Sequence, residues 1–210
     1  MTVDLNGLYM IENRDFILNI FKNNYGYSTL KNLVDNNIHT SIIKFLLDDG
    51  IIEKIKPGLY KLSEYNLDNI STYIDICRAN QFAVICNITA LSYYELTTQI
   101  SYEIDVAIPN DRKPNKIIFP QIKYHYFRES TYKIGIDEIK TESGSFKIYN
   151  KEKSICDIFR NKRLYGEDVI IEAMKEYLNL AEKDINKLYE YSKICRVEKQ
   201  VYQYIKILNG

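Results

Sequence analysis

The chain has 210 residues with 28 acidic and 28 basic side chains, so it carries no net charge at neutral pH. Its composition, 46% hydrophobic and 27% charged, belongs to a folded globular protein and excludes an intrinsically disordered one. No apolar run approaches the ~20 residues of a membrane-spanning helix, so no membrane partner is expected. Met1-Thr2-Val3-Asp4 lacks a basic region leading into an apolar stretch, so no secretory leader is expected either. Cys77, Cys86, Cys156 and Cys195 are far apart in sequence and flanked by apolar residues. They are expected to be buried and reduced, in a cytoplasmic protein. The length suits two domains, predicted at residues 1–66 and 67–210.

Near the N-terminus, Ser28 to Val34 reads as a short helix with a serine cap, and Asp35-Asn36-Asn37 as a polar turn. Ile38 to Asp49 reads as a second helix stopped by Gly50. Ile51–Ile55 and Leu59–Leu62 read as two strands around the tight-turn residues Lys56-Pro57-Gly58. Helix, turn, helix and basic hairpin is the layout of a winged helix-turn-helix, whose second helix enters the DNA major groove. At 100° per residue, Ile42, Phe45 and Leu46 share one face of that helix, while Thr40, Ser41 and Lys44 cluster on the opposite one.

A core helix needs only the first face. A recognition helix also needs small hydrogen-bonding groups and a cation on the second, because base edges and phosphates are polar. With Ser28 and Thr29 at the first helix and Lys54, Lys56 and Lys61 in the hairpin, Thr40, Ser41 and Lys44 form the candidate DNA-contacting set. An ordinary solvated face explains the helix alone; the attached hairpin favours double-stranded DNA. His39 is expected to pack locally rather than read bases. Asp48, Asp49 and Glu53 oppose DNA, and residues 1–62 hold seven residues of each charge, so non-specific affinity should be modest.

From residue 67 the pattern changes. Ser71 to Ala79 reads as a helix, Phe82 to Cys86 as an apolar strand or buried segment, and Ala90 to Leu96 as a helix capped by Asn87 or Thr89. Strands are predicted at Tyr102–Ile108 and Lys123–Arg128, separated by a charged, proline-bounded loop at Asp111–Pro120. A hairpin pairs Ile134–Lys140 with Ser145–Tyr149 around Glu142-Ser143-Gly144. Asn150 then caps a helix carrying Ile155, Cys156 and Phe159, and three more helices follow. The fold class is therefore α+β, with a small central sheet and C-terminal helices in the second domain.

Several of these segments resemble the AbiEi antitoxins of abortive-infection, type IV toxin–antitoxin systems. In the first domain the resemblance rests on Gly50 to Tyr60. In the second it rests on Ala90-Leu91 with Tyr94-Glu95-Leu96-Thr97, on Glu103 to Pro109, and on Ser154 to Arg160. Asp168, Glu172-Ala173 and Tyr177-Leu178 continue it. The resemblance implies an N-terminal domain that binds inverted repeats at its own promoter and represses transcription. It implies a C-terminal domain that counteracts a nucleotidyltransferase toxin without a stable complex, and neither a catalytic residue nor a cofactor. Asp105, Asp157, Arg160 and Asp168 are the candidate antitoxicity residues. Lys54 and Lys56 stand where the family often has arginine; lysine neutralises phosphate without a planar fork. With no long heptad seam, monomers assembling on DNA are expected.

Plainer and rival readings exist. Asp157 and Arg160, three apart on a helix, would form an ion pair, or Asp157 would bond the backbone of a neighbouring strand. Asp105 followed by Glu138-Ile139-Lys140 on a later strand is the pattern of a Mg²⁺-dependent nuclease, although alternating surface charge produces it often. A transcription factor with an effector-binding second domain is the third reading. With only His39 and His125, and no phosphate-binding loop, GxSxG elbow or dinucleotide glycine fingerprint, other enzyme classes are not expected.

Overall fold

The computed structural model describes residues 5–65 and 69–209, with side chains from 13 to 65 and from 70 to 208. Met1–Asp4 and the expected boundary between residues 66 and 67 lie outside the described residues. The fold is α+β. Two compact units are present. One comprises residues 1–81, 115–119 and 140–145; the other comprises 82–114, 120–139 and 146–210.

In the first unit the elements run α1 (Leu5–Lys22), β1 (Tyr27–Thr29), α2 (Leu30–Asp35), α3 (Thr40–Asp48), β2 (Ile52–Lys56), β3 (Leu59–Leu62) and α4 (Asn69–Ala79). The three strands form an antiparallel sheet in the order β1-β3-β2. Ile17 and Phe21 of α1 pack with Leu33, Ile38, Ile42, Ile43, Leu46, Ile52, Tyr60 and Leu62 in one apolar cluster. Burying that surface supplies most of the unit's stability. Two elements, α1 and β1, depart from the sequence reading. Ser28 lies in β1, and Thr29 rather than Ser28 caps α2, accepting the Asn32 N–H at 3.1 Å. Asn37 closes α2 with a left-handed φ of 61°, and the Ile38 N–H returns to the Leu33 carbonyl at 2.9 Å.

The second unit carries β4 (Val84–Ile85), α5 (Asn87–Tyr93), β5 (Ile104–Pro109), β6 (Ile122–Phe127) and α6 (Glu129–Tyr132). β7 (Ile136–Thr141) and β8 (Gly144–Tyr149) follow, except for their residues 140–145, which count with the first unit, then α7 (Lys151–Arg160), α8 (Lys162–Tyr165), α9 (Glu167–Asn179), α10 (Ile185–Cys195) and α11 (Glu198–Asn209). The sheet order is β6-β5-β4-β8-β7. β5 runs parallel to β6 and antiparallel to β4, and β4 runs parallel to β8. Leu91, Ile155, Ile158, Ile170, Met174, Tyr177, Leu188 and Val201 form a helical core. Asn150 caps α7 as its sequence suggested, accepting the Lys153 N–H at 3.0 Å. Cys86, Cys156 and Cys195 are buried as expected; Cys77 is only half-buried, and all four are free thiols. Among the described residues no helix is long and apolar enough to cross a membrane.

Candidate nucleic-acid interface

α3 separates its two faces as its spacing dictates. Ile42, Ile43 and Leu46 are buried, whereas Thr40, Ser41 and Lys44 are exposed. Two small hydroxyls and one ammonium are therefore presented together, without a bulky apolar side chain among them. His39 is the N-cap residue of α3 and is exposed, not packed locally as expected, because the helix begins at Thr40, two residues later than the expected start at Ile38.

The hairpin adds charge unevenly. Gly58 takes a φ of 79° in its turn, a conformation that costs glycine little. The register shifts by one residue between Lys54, opposite Tyr60, and Lys56, opposite Leu59. Lys54 is exposed, Ile55 buried and Lys56 half-buried. Asp48 and Asp49 are exposed at the end of α3, where they offset part of this charge.

Four sequence expectations need correction. Lys61, expected on the DNA-facing surface, is fully buried: its Nζ donates to Asp75 Oδ2 of α4 at 3.0 Å. Asp75 also accepts the Tyr27 hydroxyl at 2.6 Å. Burial pushes the Asp75 carboxyl up, and the Tyr27 and Lys61 bonds pull it back. Ser28 is also fully buried, accepting the Asn32 side-chain amide at 3.0 Å. Thr29 is exposed, but its hydroxyl serves the α2 cap. Glu53 lies opposite Lys61 across the β2–β3 pair and is half-buried, with burial raising its carboxyl. It is thereby a weaker opponent of DNA than its sequence position suggested. The candidate contact set reduces to Thr40, Ser41, Lys44, Lys54 and Lys56.

The pairing of Lys61 has a measurable consequence. Lys61→Met strips the buried Asp75 of its charged hydrogen-bond donor, leaving it the Tyr27 hydroxyl, and should lower stability by about 3 kcal/mol in urea unfolding. If this surface takes DNA, the salt slope of that binding should not change. A slope shallower by about one, without loss of stability, would return Lys61 to the interface.

In the second unit the four candidates separate. Asp105 is buried on β5, and its Oδ1 accepts from His125 Nε2 at 2.6 Å and from the Tyr165 hydroxyl at 3.0 Å. Its Oδ2 is buried with no hydrogen-bond partner among the described residues. Asp157 is buried on α7 but pairs with Lys153, one turn before it at 2.6 Å, and not with Arg160. Arg160 is exposed at the end of α7, and Asp168 is exposed in the first turn of α9, where a carboxylate favours the helix dipole. The fully buried Cys86 thiol is raised by burial first and then by the charges of Asp105 and Asp157, so both carboxylates belong to one neighbourhood. His125, Tyr165 and Lys153 complete this buried network and were missed in sequence, since nothing local marks them.

The nuclease pattern does not assemble. Two strands, β4 and β8, lie between β5 and β7, and Glu138 is exposed while Asp105 is buried. Asp105 and the Glu138-Ile139-Lys140 segment therefore do not sit on paired strands.

The chain matches no known protein family and is not significantly similar to any curated protein.

Proposed function

We propose that this chain is a DNA-binding autoregulator and antitoxin of the AbiEi type. Its first unit is a winged helix-turn-helix: α2 and α3 form the helix-turn-helix, and β2–β3 forms the wing. The carrying observation is the exposed face of α3, where Thr40, Ser41 and Lys44 stand opposite the buried Ile42, Ile43 and Leu46. α3 lies in the major groove, Thr40 and Ser41 meet base edges, and Lys44, Lys54 and Lys56 meet phosphates. Monomers occupy the two halves of an inverted repeat in the promoter. In the cytoplasm the second unit counteracts a nucleotidyltransferase toxin without forming a stable complex with it. The resemblance at Ala90–Thr97, Glu103–Pro109 and Ser154–Arg160 supports that half of the reading.

Salt dependence tests the DNA half. Three lysines per copy and two copies set a limiting log–log slope of about −5, from about −0.9 per phosphate contact. The incomplete exposure of Lys56 and the nearby Asp48 and Asp49 make a slope of about −3 to −5 the expected result. A one-repeat duplex should give about half that slope. A stable dimer in free solution, binding the two-repeat duplex in one step, would refute the assembly on DNA. Growth rescue tests the other half: the full chain should restore growth of cells expressing the toxin, and so should Lys44→Glu. Loss of rescue in Lys44→Glu at unchanged protein level would tie neutralisation to DNA binding.

A further inference from the structure

The second unit contains a pocket of about 340 Å³ lined by Arg128, Arg160 and Arg196, with Ser130, Ile194 and Cys195. The chain has 28 basic residues, of which only seven are arginine, and three of those seven meet at this one pocket. In so lysine-rich a sequence that is a selective use of the planar, forked cation that binds phosphate through two hydrogen bonds at once.

Three elements deliver them. Arg128 follows β6 as the N-cap residue of α6, Arg160 ends α7, and Arg196 caps α10 in a left-handed conformation. The Arg160 guanidinium rests 5.7 Å from the centre of the Phe127 ring. Among the described residues no carboxylate lies within 4.0 Å of any of the three guanidinium groups. The acids nearest in sequence are committed elsewhere: Glu129 pairs with Lys133, Asp157 with Lys153, and Glu198 with Lys193 at 3.9 Å.

Part of the positive charge answers the C-terminal ends of α7 and α10. Each helix end contributes about half a negative charge, which leaves about two positive charges unmatched. The Cys195 thiol on the wall is held low, chiefly by the neighbouring Cys156 thiol and then by Lys153 and Arg160, against the opposing effects of burial and of Asp157.

We propose that this pocket binds the diphosphate group of a small soluble ligand. Its volume is at the lower end of small-molecule sites, about 300–1,000 Å³. Ile194 is its one large apolar side chain and no aromatic ring lines it, so the recognised moiety is the polyanion rather than a base or sugar. Inorganic pyrophosphate and a nucleoside diphosphate share that chemistry. The inference is independent of DNA binding by the first unit.

Titration calorimetry of the full chain at 0.1 M salt, with inorganic pyrophosphate and with ADP as probes, tests it. One saturable site is expected for at least one probe. ADP tighter by more than tenfold identifies a nucleotide; equal or tighter pyrophosphate identifies a phosphorylated ligand recognised through its anion alone. Arg160→Ala, Arg128→Ala and Arg196→Ala should each weaken binding about tenfold or more. Arg160→Lys should recover only part of the loss, and Arg112→Ala, outside the pocket, should change nothing. Thermal unfolding of each variant separates lost binding from lost fold. Absence of saturable binding of either probe overturns the proposal. So does affinity unaffected by the three alanine variants when they are folded, or displacement of the probe by a short duplex at lower phosphate concentration than the probe itself.

Discussion

Lys44→Glu should lower affinity for a two-repeat operator about thirty- to a hundredfold, while Lys193→Glu leaves it within about twofold. Lys44 is the one cation on the exposed face of α3, beside Thr40 and Ser41. On the proposed reading, reversal removes a phosphate contact and adds a repulsion, together about 1–1.4 kcal/mol per copy, with two copies on the operator. Every 1.4 kcal/mol is about tenfold in affinity. The salt slope should become shallower by about one per copy. Lys193 is also exposed but lies on α10 of the second unit, 3.9 Å from Glu198. Fluorescence anisotropy on labelled duplexes reads both variants. Equal losses would remove DNA binding from the first unit.

Lys153→Met should destabilise the protein by about 3–5 kcal/mol at neutral pH, the usual cost of stranding one partner of a buried ion pair. Lys153 and Asp157 have fully buried side chains, and Nζ lies 2.6 Å and 2.5 Å from the two carboxylate oxygens. The ammonium also sits 4.0 Å from the centre of the Tyr149 ring and 4.6 Å from that of Phe127. Gly135 makes room for this side chain: a Cβ there would come within 2.6 Å of Lys153 Cβ.

Burial raises the Asp157 carboxyl, and Lys153 opposes that rise. Without Lys153 the raised folded-state affinity for a proton dominates. The variant's relative stability is then greatest below the unfolded carboxylate range, about pH 4, and declines as pH rises toward the folded value. Its deficit against the unmodified protein should therefore be smaller at pH 4 than at pH 7.5. Lys153→Met with Asp157→Leu should recover most of the loss. A deficit independent of pH, or no recovery in the double variant, would contradict a charge-based origin.

How much was legible in the sequence depended on the distance over which each residue finds its partner. The two faces of α3 follow from spacing within nine residues, and the Asn150 cap from a bond to Lys153 three residues on. Most helices and strands of the second unit share those local signals. β1 did not, because Tyr27-Ser28-Thr29 is too short to show alternation and becomes a strand only by pairing with Leu59, Tyr60 and Lys61. Lys61 reads as one more hairpin cation until α4 brings Asp75 to it. Asp105 reads as a strand-surface charge until parallel pairing with β6 supplies His125 and the end of α8 supplies Tyr165. The arginines at 128, 160 and 196 carry no shared motif; only tertiary folding makes them neighbours.

The first unit includes residues 115–119 although its main segment ends at 81, and this sets an order of events during synthesis. The Asn115 N–H bonds the Asn80 side-chain oxygen at 2.6 Å, the Asn115 side-chain amide donates to the Ala79 carbonyl at 2.8 Å, and the Ile118 N–H reaches the Ile55 carbonyl at 3.3 Å. Asn80 and Asn115 are 35 residues apart, which a ribosome covers in about 2–7 s at about 5–20 residues per second. For that interval α1 to α4 can emerge and collapse, but the backbone groups of Ile55 and Ala79 still await these partners. Translation speed across residues 82–115 thus sets how long the end of α4 waits for its Asn115 bonds in a cell.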